Sequence, residues 1–154
     1  MKPIDAITGA PNACQVLPNL VTAGQVTPEQ LRAAKAAGVT QVLNVRDPME
    51  PVPFDEPALC AELGLAYRNI PVNAGTMTHE TLQQILDHVR AHADASMLYH
   101  CASGARVGAS LLPYLVLDFG FEVEDAVDQA VRIGVRNPDY LEWGMEYLRG
   151  LGKS

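Results

Sequence analysis

One segment decides the fold: residues 98–108 read LYHCASGARVG. The apolar run over 96–99 predicts a buried strand, and the apolar run over 107–119 predicts a buried helix. Cys101 falls between them, at the carboxyl end of the strand and in front of the helix N-terminus. Functional sites of open α/β folds lie at the carboxyl ends of strands. The segment therefore predicts an α/β domain that carries a nucleophile on this loop.

The loop has the residue types that activate a thiol and bind an oxyanion. Unpaired backbone N–H groups at a helix N-terminus lower the pKa of a cysteine to between roughly 3.5 and 7.5. In a curled loop, the same groups hold phosphate, sulfate or a sulfane-sulfur oxyanion. Arg106 adds a planar fork of donors that grips two oxygens at once. The small residues between Cys101 and Arg106 are expected to line the cradle for this anion: Ala102, Ser103, Gly104 and Ala105.

The composition indicates one domain and argues against several kinds of partner. A chain of 154 residues, 48% of them hydrophobic, can bury a core without disulfides or metals. The net charge of -7 and the lack of a Lys/Arg run argue against nucleic acid. The 3 cysteines form no C-x-x-C pair, which argues against a zinc site and a disulfide framework. We therefore expect no metal and no cofactor.

The apolar pattern also bears on location. Prolines and polar residues interrupt the N-terminal stretch, which leaves no apolar core for a signal peptide. No uninterrupted apolar run approaches the roughly 18 residues of a membrane span. We expect a cytoplasmic protein without membrane association, in which a reactive thiol stays reduced.

The chain alternates strands and helices. Residues 1–18, rich in Pro, Gly, Asn and Ala, are expected to form a loosely held arm, and residues 19–154 the α/β domain. Strands are predicted over 20–23, 39–45, 66–72 and 96–99, and helices over 28–37, 56–63, 79–93, 107–119, 123–133 and 138–148. Pro113 predicts a kink or a late start of its helix. The alternation indicates a single domain with a mostly parallel sheet of four to five strands flanked by helices.

A proline-rich loop, 46–53, leaves the strand over 39–45 at the same end of the sheet as Cys101. It carries Arg46 and Asp47, which we interpret either as site residues or as part of a solvated surface loop. In the first interpretation Arg46 contributes to substrate binding.

Four stretches together resemble one family. They are LVTAGQ at 20–25, GV at 38–39 leading to NVRD at 44–47, GLAY at 64–67 leading to IPV at 70–72, and the His100-Cys101 loop. Over about 20–148 the chain resembles the bacterial family of small phosphatase-like domains, some of them fused to a β-lactamase-like hydrolase. That family stands near the dual-specificity protein tyrosine phosphatases. The resemblance implies a protein tyrosine phosphatase-like fold.

The resemblance also implies a mechanism. Cys101 attacks phosphorus and forms a thiophosphoryl enzyme, while Arg106 and the loop N–H groups hold the equatorial oxygens. His100 tunes the thiolate from behind, and an acid on a neighbouring loop protonates the leaving oxygen and then activates water. The implied substrates are phosphotyrosine-like or small aryl phosphate monoesters, as free molecules or on a phosphoprotein.

The general acid departs from the family pattern. Asn73 stands where related phosphatases place the acid, and an amide does not donate a proton usefully; Asn73 is expected to contribute to substrate binding instead. Asp47 is then the first candidate for the acid, before His79 and Glu80, because its loop should face Cys101. Loss of a general acid lowers rates by about 10²–10⁴, so we expect weak activity on good leaving groups.

The loop itself departs in two further ways. Four residues separate Cys101 from Arg106, where these phosphatases have five. Loops of the shorter kind occur in rhodanese-like sulfurtransferases, in which the cysteine carries a persulfide. Val107 replaces a hydroxyl residue, a role left to Ser103 or Ser110. Besides the phosphatase, two functions stay open: a sulfurtransferase that carries a persulfide on Cys101, and a non-catalytic anion-binding module.

Overall fold

The structure is a computed structural model that describes residues 1–153. Within these residues the helices are α1 (Pro3–Ala6), α2 (Pro28–Ala36), α3 (Glu56–Leu63), α4 (His79–Ala91), α5 (Ala105–Phe119), α6 (Val123–Ile133) and α7 (Pro138–Gly150). The strands are β1 (Cys14–Leu17), β2 (Leu20–Ala23), β3 (Gln41–Asn44), β4 (Ala66–Asn69) and β5 (Met97–His100).

The strands form one sheet in the order β1-β2-β5-β3-β4. β5 lies at the centre, parallel to β2 on one side and to β3 on the other, and β3 is parallel to β4. Among the described strands, β1 alone runs antiparallel to its neighbour, β2. The predicted single-domain α/β fold with a mostly parallel sheet is confirmed. Because β5 is central, its carboxyl end delivers Cys101 to the middle of the sheet edge.

Different helices cover the two faces of the sheet. Side chains alternate along a strand, and Met97 and Tyr99 of β5 belong to the core shared with α4, α5, α6 and α7. Leu98 faces the other way, into the core shared with α1, α2 and α3. The loop that carries Cys101 is therefore anchored by a strand that is buried on both faces.

The helix after the loop, α5, begins at Ala105 and continues through Pro113. The predicted late start is wrong, because the Gly104 carbonyl already accepts a helical hydrogen bond from Gly108 N at 2.9 Å. Pro113 has no N–H for the carbonyl of Ala109. Gly144 of α7 packs on that carbonyl so closely that a Cβ there would lie 2.5 Å from the oxygen. Neither α5 nor another helix of residues 1–153 is long and apolar enough to cross a bilayer.

The N-terminal segment packs on the rest of the domain, where the sequence analysis expects a loosely held arm over 1–18. Ile7 has no exposed surface, α1 packs against α2, and β1 pairs with β2 as an edge strand. The segment lacks a periodic apolar pattern, so its local sequence gives no sign of these contacts. Its order depends on partners that are brought to it by the rest of the fold.

Candidate active site

The loop between β5 and α5 encloses the Cys101 thiol. The backbone N–H of Gly104 donates a hydrogen bond to Cys101 Sγ at 3.1 Å, and the Cys101 side chain has no exposed surface. Gly104 adopts a φ of 101°, and a Cβ at this position would lie 2.4 Å from the carbonyl oxygen of Ile133. Only glycine fits this turn and this close approach.

Three successive carbonyl groups of the loop are anchored from outside. The anchors are His100 Nδ1, 3.2 Å from Cys101 O; Gln25 N, 3.0 Å from Ala102 O; and Asn12 Nδ2, 2.7 Å from Ser103 O. In a planar trans peptide the C=O and the following N–H point in opposite directions. The anchored carbonyls therefore turn the N–H groups of the following residues to the opposite side of the loop.

Most backbone N–H groups between Cys101 and Arg106 have no partner among the residues that the structure describes. Within residues 1–153, no acceptor contacts the backbone N–H of Ala102, Ser103, Ala105 or Arg106. Successive free N–H groups at a helix N-terminus form a concavity that binds anions. The sequence analysis expects an anion cradle at this loop, and the binding of an anion there stays a prediction.

Arg106 is held by two acceptors. Its Nη1 donates to Glu50 Oε2 at 2.6 Å and to Val72 O at 3.0 Å, and its Nη2 donates to Glu50 Oε1 at 3.0 Å. A guanidinium has five N–H donors, and these contacts use both on Nη1 and one on Nη2. The Nε–H and the second Nη2–H remain, and they form one edge that suits two oxygens of an oxyanion.

Glu50 is a site residue that the sequence analysis missed. Besides Arg106, it accepts hydrogen bonds from Arg46 Nε at 3.2 Å and from Asp47 N at 2.8 Å. The hydrogen bonds from Arg106 lower the pKa of Glu50 from about 4.5 to about 2. Its carboxylate therefore stays ionised and balances the charge of Arg106. The only hint in the sequence is its place on the loop that begins with Arg46 and Asp47.

Asp47 and Asn73 lie together, on the segments that follow β3 and β4. The Asn73 side-chain amide donates to the Asp47 carboxylate, whose other oxygen accepts from Met49 N at 2.8 Å. The Met49 N–H first, and then the Asn73 amide, hold the pKa of Asp47 below its usual range. These two hydrogen bonds favour the ionised form of Asp47, and its catalytic role stays a prediction.

His100 forms a buried pair with Glu56, which the sequence analysis also missed. The carbonyl of Cys101 can only accept, so His100 Nδ1 must carry a hydrogen. His100 Nε2 lies 2.5 Å from Glu56 Oε2, and both side chains are almost fully buried. This buried hydrogen-bonded pair contacts the Cys101 carbonyl through His100 Nδ1.

A chain of hydrogen bonds links this pair to Arg106 and Glu50, which together are called the arginine clamp below. Gln25 Nε2 donates to Glu56 Oε1 at 3.0 Å, and Gln25 Oε1 accepts from Arg46 Nη1 at 2.9 Å. Arg46 in turn contacts Glu50, which holds Arg106. Arg46 also donates to Pro51 O at 2.9 Å. These contacts place Arg46 as a support of the clamp.

Other candidates for catalytic roles have different partners. Ser110 Oγ lies 2.6 Å from Tyr99 Oη and donates to Val107 O at 2.9 Å, while Ser103 is exposed. The ring of His79 packs edge-on against Tyr147, with ring centroids 5.6 Å apart. Glu80 is exposed in the first turn of α4.

Burial disfavours the thiolate form of the other two cysteines, Cys14 and Cys60. Burial first, and then the Glu56 carboxylate, raise the pKa of Cys60 to about 12. Burial likewise raises the pKa of Cys14. No group of three or more His, Cys, Asp or Glu side chains within residues 1–153 is arranged to hold a metal ion.

The chain matches no known family model and no curated protein. Its structure is similar to a phosphatase-like DUF442 protein from Shewanella putrefaciens CN-32, with a TM-score of 0.79, 20% identity, and coverage of 96% of this chain and 97% of the other. It is also similar to P. aeruginosa TpbA, with a TM-score of 0.71, 17% identity, and coverage of 93% and 86%.

A third similar structure is the core catalytic domain of the PP-IP phosphatase SIW14 from S. cerevisiae. Its TM-score is 0.74 at 16% identity, with coverage of 88% of this chain and 85% of the other. At this level of identity the similarity establishes the fold, which is that of protein tyrosine phosphatase-like phosphatases.

Proposed function

We propose that the protein is a cysteine-dependent phosphatase that hydrolyses phosphotyrosine-like or small aryl phosphate monoesters. The observation that carries the proposal is the cradle around Cys101, where free backbone N–H groups and the open edge of Arg106 belong to one short loop. The fold supports the same activity, since TpbA is also described in complex with pTyr. The partner is then a phosphorylated small molecule or a phosphoprotein.

In the first step the Cys101 thiolate attacks phosphorus. A P–S bond forms, the bond from phosphorus to the ester oxygen breaks, and the leaving oxygen takes its electron pair. The equatorial oxygens bind to the N–H groups of the loop and to the Nε–H and Nη2–H edge of Arg106. Glu50 keeps the guanidinium in place through the step because it binds the adjacent edge, formed by Nη1 and Nη2.

The leaving group receives little help from the protein. Asp47 is ionised in this geometry and Asn73 has no acidic proton. The reaction therefore favours leaving groups, such as phenolates, that depart without prior protonation. In the second step Asp47 takes a proton from water, the water oxygen attacks phosphorus, and the P–S bond breaks to release phosphate and the Cys101 thiolate.

Substrate entry requires movement. Because the Cys101 side chain has no exposed surface, a phosphoryl group reaches the sulfur only after the surrounding loops separate. We expect slow turnover for two reasons: the substrate enters only after this movement, and the leaving group is not protonated.

A sulfurtransferase is the second candidate, favoured by the four-residue spacing between Cys101 and Arg106. In this reaction the thiolate takes the sulfane sulfur of thiosulfate and releases sulfite, and cyanide then takes the sulfur from the persulfide as thiocyanate. No step needs a general acid, so an amide at Asn73 and an ionised Asp47 do not slow this reaction.

The test is turnover of the wild type and of Cys101→Ser on para-nitrophenyl phosphate, and separately on thiosulfate with cyanide. Cys14→Ala is the matched control, because Cys14 is a buried thiol in the edge strand β1. We expect phosphate release that Cys101→Ser abolishes and Cys14→Ala preserves. Thiocyanate formation that depends on Cys101 would favour the sulfurtransferase instead. Anion binding without either product would favour the non-catalytic module.

Arg106→Lys extends the test to the clamp. A lysine cannot present two parallel donors to an oxyanion while it also binds Glu50. We expect most of the Cys101-dependent turnover to be lost, with Arg132→Lys, an exposed arginine on α6, as the control. Full turnover in Arg106→Lys would remove Arg106 from the site.

A further inference from the structure

Asn12 belongs to the N-terminal segment, yet its side chain reaches the nucleophile loop. Its Nδ2 donates to Ser103 O at 2.7 Å across 91 residues of sequence. Its Oδ1 lies 3.5 Å from Arg136 Nη2, a weak contact that agrees with this orientation of the amide. The neighbouring Pro11 carbonyl accepts from Gly24 N at 2.7 Å, so the segment is fastened to the end of β2.

The backbone of Asn12 adopts an uncommon conformation. Among residues 1–153 it is the single non-glycine residue with a positive φ, 53°. Asparagine tolerates this left-handed region better than other residues with a side chain. A glycine would adopt it more easily, but a glycine has no amide. The conformation therefore places the amide toward Ser103.

The hydrogen bond acts on the thiol through one peptide group. Ser103 O and Gly104 N belong to the same planar peptide, so a carbonyl that is held outward turns the N–H inward. That N–H is the one that donates to Cys101 Sγ, at 3.1 Å. Within residues 1–153, Asn12 is the only donor to Ser103 O.

We infer that Asn12 is a positioning residue, whose amide holds the Ser103–Gly104 peptide so that the Gly104 N–H stabilises the Cys101 thiolate. The inference deepens the proposed function and rests on it for turnover alone, since thiolate formation can be measured without any substrate. The N-terminal segment, which carries no chemistry of its own, thereby becomes part of the site's support.

The variant that tests this is Asn12→Gly. Glycine keeps the positive φ without strain, so the variant removes the amide and leaves the backbone path intact. Asn19→Ala is the matched control, because Asn19 also presents an exposed amide to a backbone carbonyl, that of Ala93 at 3.5 Å, at the opposite end of the sheet. Thermal melting of all three proteins tests whether the fold is preserved.

The readout is the pH profile of Cys101 alkylation by iodoacetamide, followed by mass spectrometry. An N–H donor stabilises a thiolate relative to a thiol, so its misplacement in Asn12→Gly should raise the midpoint by roughly half to one pH unit. The other groups around the thiol stay the same in both proteins: Tyr99, the His100–Glu56 pair, and Arg106 with Glu50. The plateau at high pH reports access to the sulfur separately.

Turnover of para-nitrophenyl phosphate at neutral pH should fall about fivefold in Asn12→Gly, in line with one misplaced hydrogen bond. An unchanged midpoint in a folded Asn12→Gly protein would overturn the inference, whatever happens to turnover. A raised midpoint in a protein whose wild type releases no phosphate would support the inference and refute the phosphatase proposal.

Discussion

At the residue scale, Asp47 separates two versions of the mechanism. Its pKa lies below the usual range because Met49 N and the Asn73 amide both donate to the carboxylate. In the proposed mechanism an ionised Asp47 accepts a proton from water in the second step and does not protonate the leaving group in the first. Replacing Asp47 therefore distinguishes the two roles, because loss of a general base lowers kcat alone whereas loss of a general acid lowers kcat and kcat/KM together.

Asp47→Asn should lower kcat on para-nitrophenyl phosphate about tenfold or more and leave kcat/KM nearly unchanged. The reason is that kcat/KM reports steps up to thiophosphoryl formation, whereas loss of a general base slows the later hydrolysis. A burst of phenolate before the steady state is the accompanying sign. Asp94→Asn, which changes an exposed acid after α4, serves as the control. An equal fall in kcat and kcat/KM would instead make Asp47 the general acid.

At the scale of elements, Glu56 ties the N-terminus of α3 to the end of β5. Its carboxylate lies 2.5 Å from His100 Nε2 and is 4% exposed. Removing one partner of a buried, hydrogen-bonded pair leaves the other without compensation in a medium of low polarity. Glu56→Ala should therefore lower the free energy of unfolding by about 3 kcal/mol, measured by urea denaturation.

Glu62→Ala is the control for this prediction, because Glu62 is exposed on the same helix and its removal should change stability by less than about 0.5 kcal/mol. Equal stability of the two variants would mean that His100 is satisfied by other groups.

At the scale of the whole molecule, charge is balanced locally rather than globally. The chain carries a net charge of -7, yet Arg46 and Arg106 share Glu50 at the loop edge. Glu50 contributes to stability above pH about 4.5, where the unfolded carboxyl is ionised. This contribution is lost as the pH falls toward about 2, because the unfolded chain takes up a proton that the folded protein does not.

We expect the wild type to exceed Glu50→Gln in stability by about 2 kcal/mol at pH 6, a value discounted for the partial exposure of Glu50. The difference should shrink steadily between pH 4.5 and pH 2. Urea denaturation across this range measures it, with Glu62→Gln as the exposed control. A difference that does not depend on pH would show that the contact with Arg106 does not lower the pKa of Glu50.

The sequence by itself determined the elements from β2 onward and their order, but not α1 or β1. β2, α3 and α6 have the predicted bounds, because apolar periodicity and local caps such as the Asp55 side chain on Ala58 N depend on neighbours in the chain. It also determined the position of the Cys101 loop between β5 and α5, since strand, small residues and helix start are all local signals. The strands β3 and β4 end earlier than predicted, at Asn44 and Asn69, although Val45, Ile70 and Val72 still donate backbone hydrogen bonds to the neighbouring segment.

Only the tertiary structure decided which groups surround that loop. Glu50 and Arg106 are 56 residues apart, Glu56 and His100 are 44 apart, and Asn12 and Ser103 are 91 apart. A carboxylate in a loop, an acid in the first turn of a helix, and an amide in a proline-rich segment are each ordinary surface residues when considered locally. Their roles arise because the parallel sheet brings the ends of separate segments to one edge, where each buried donor or charge needs a partner.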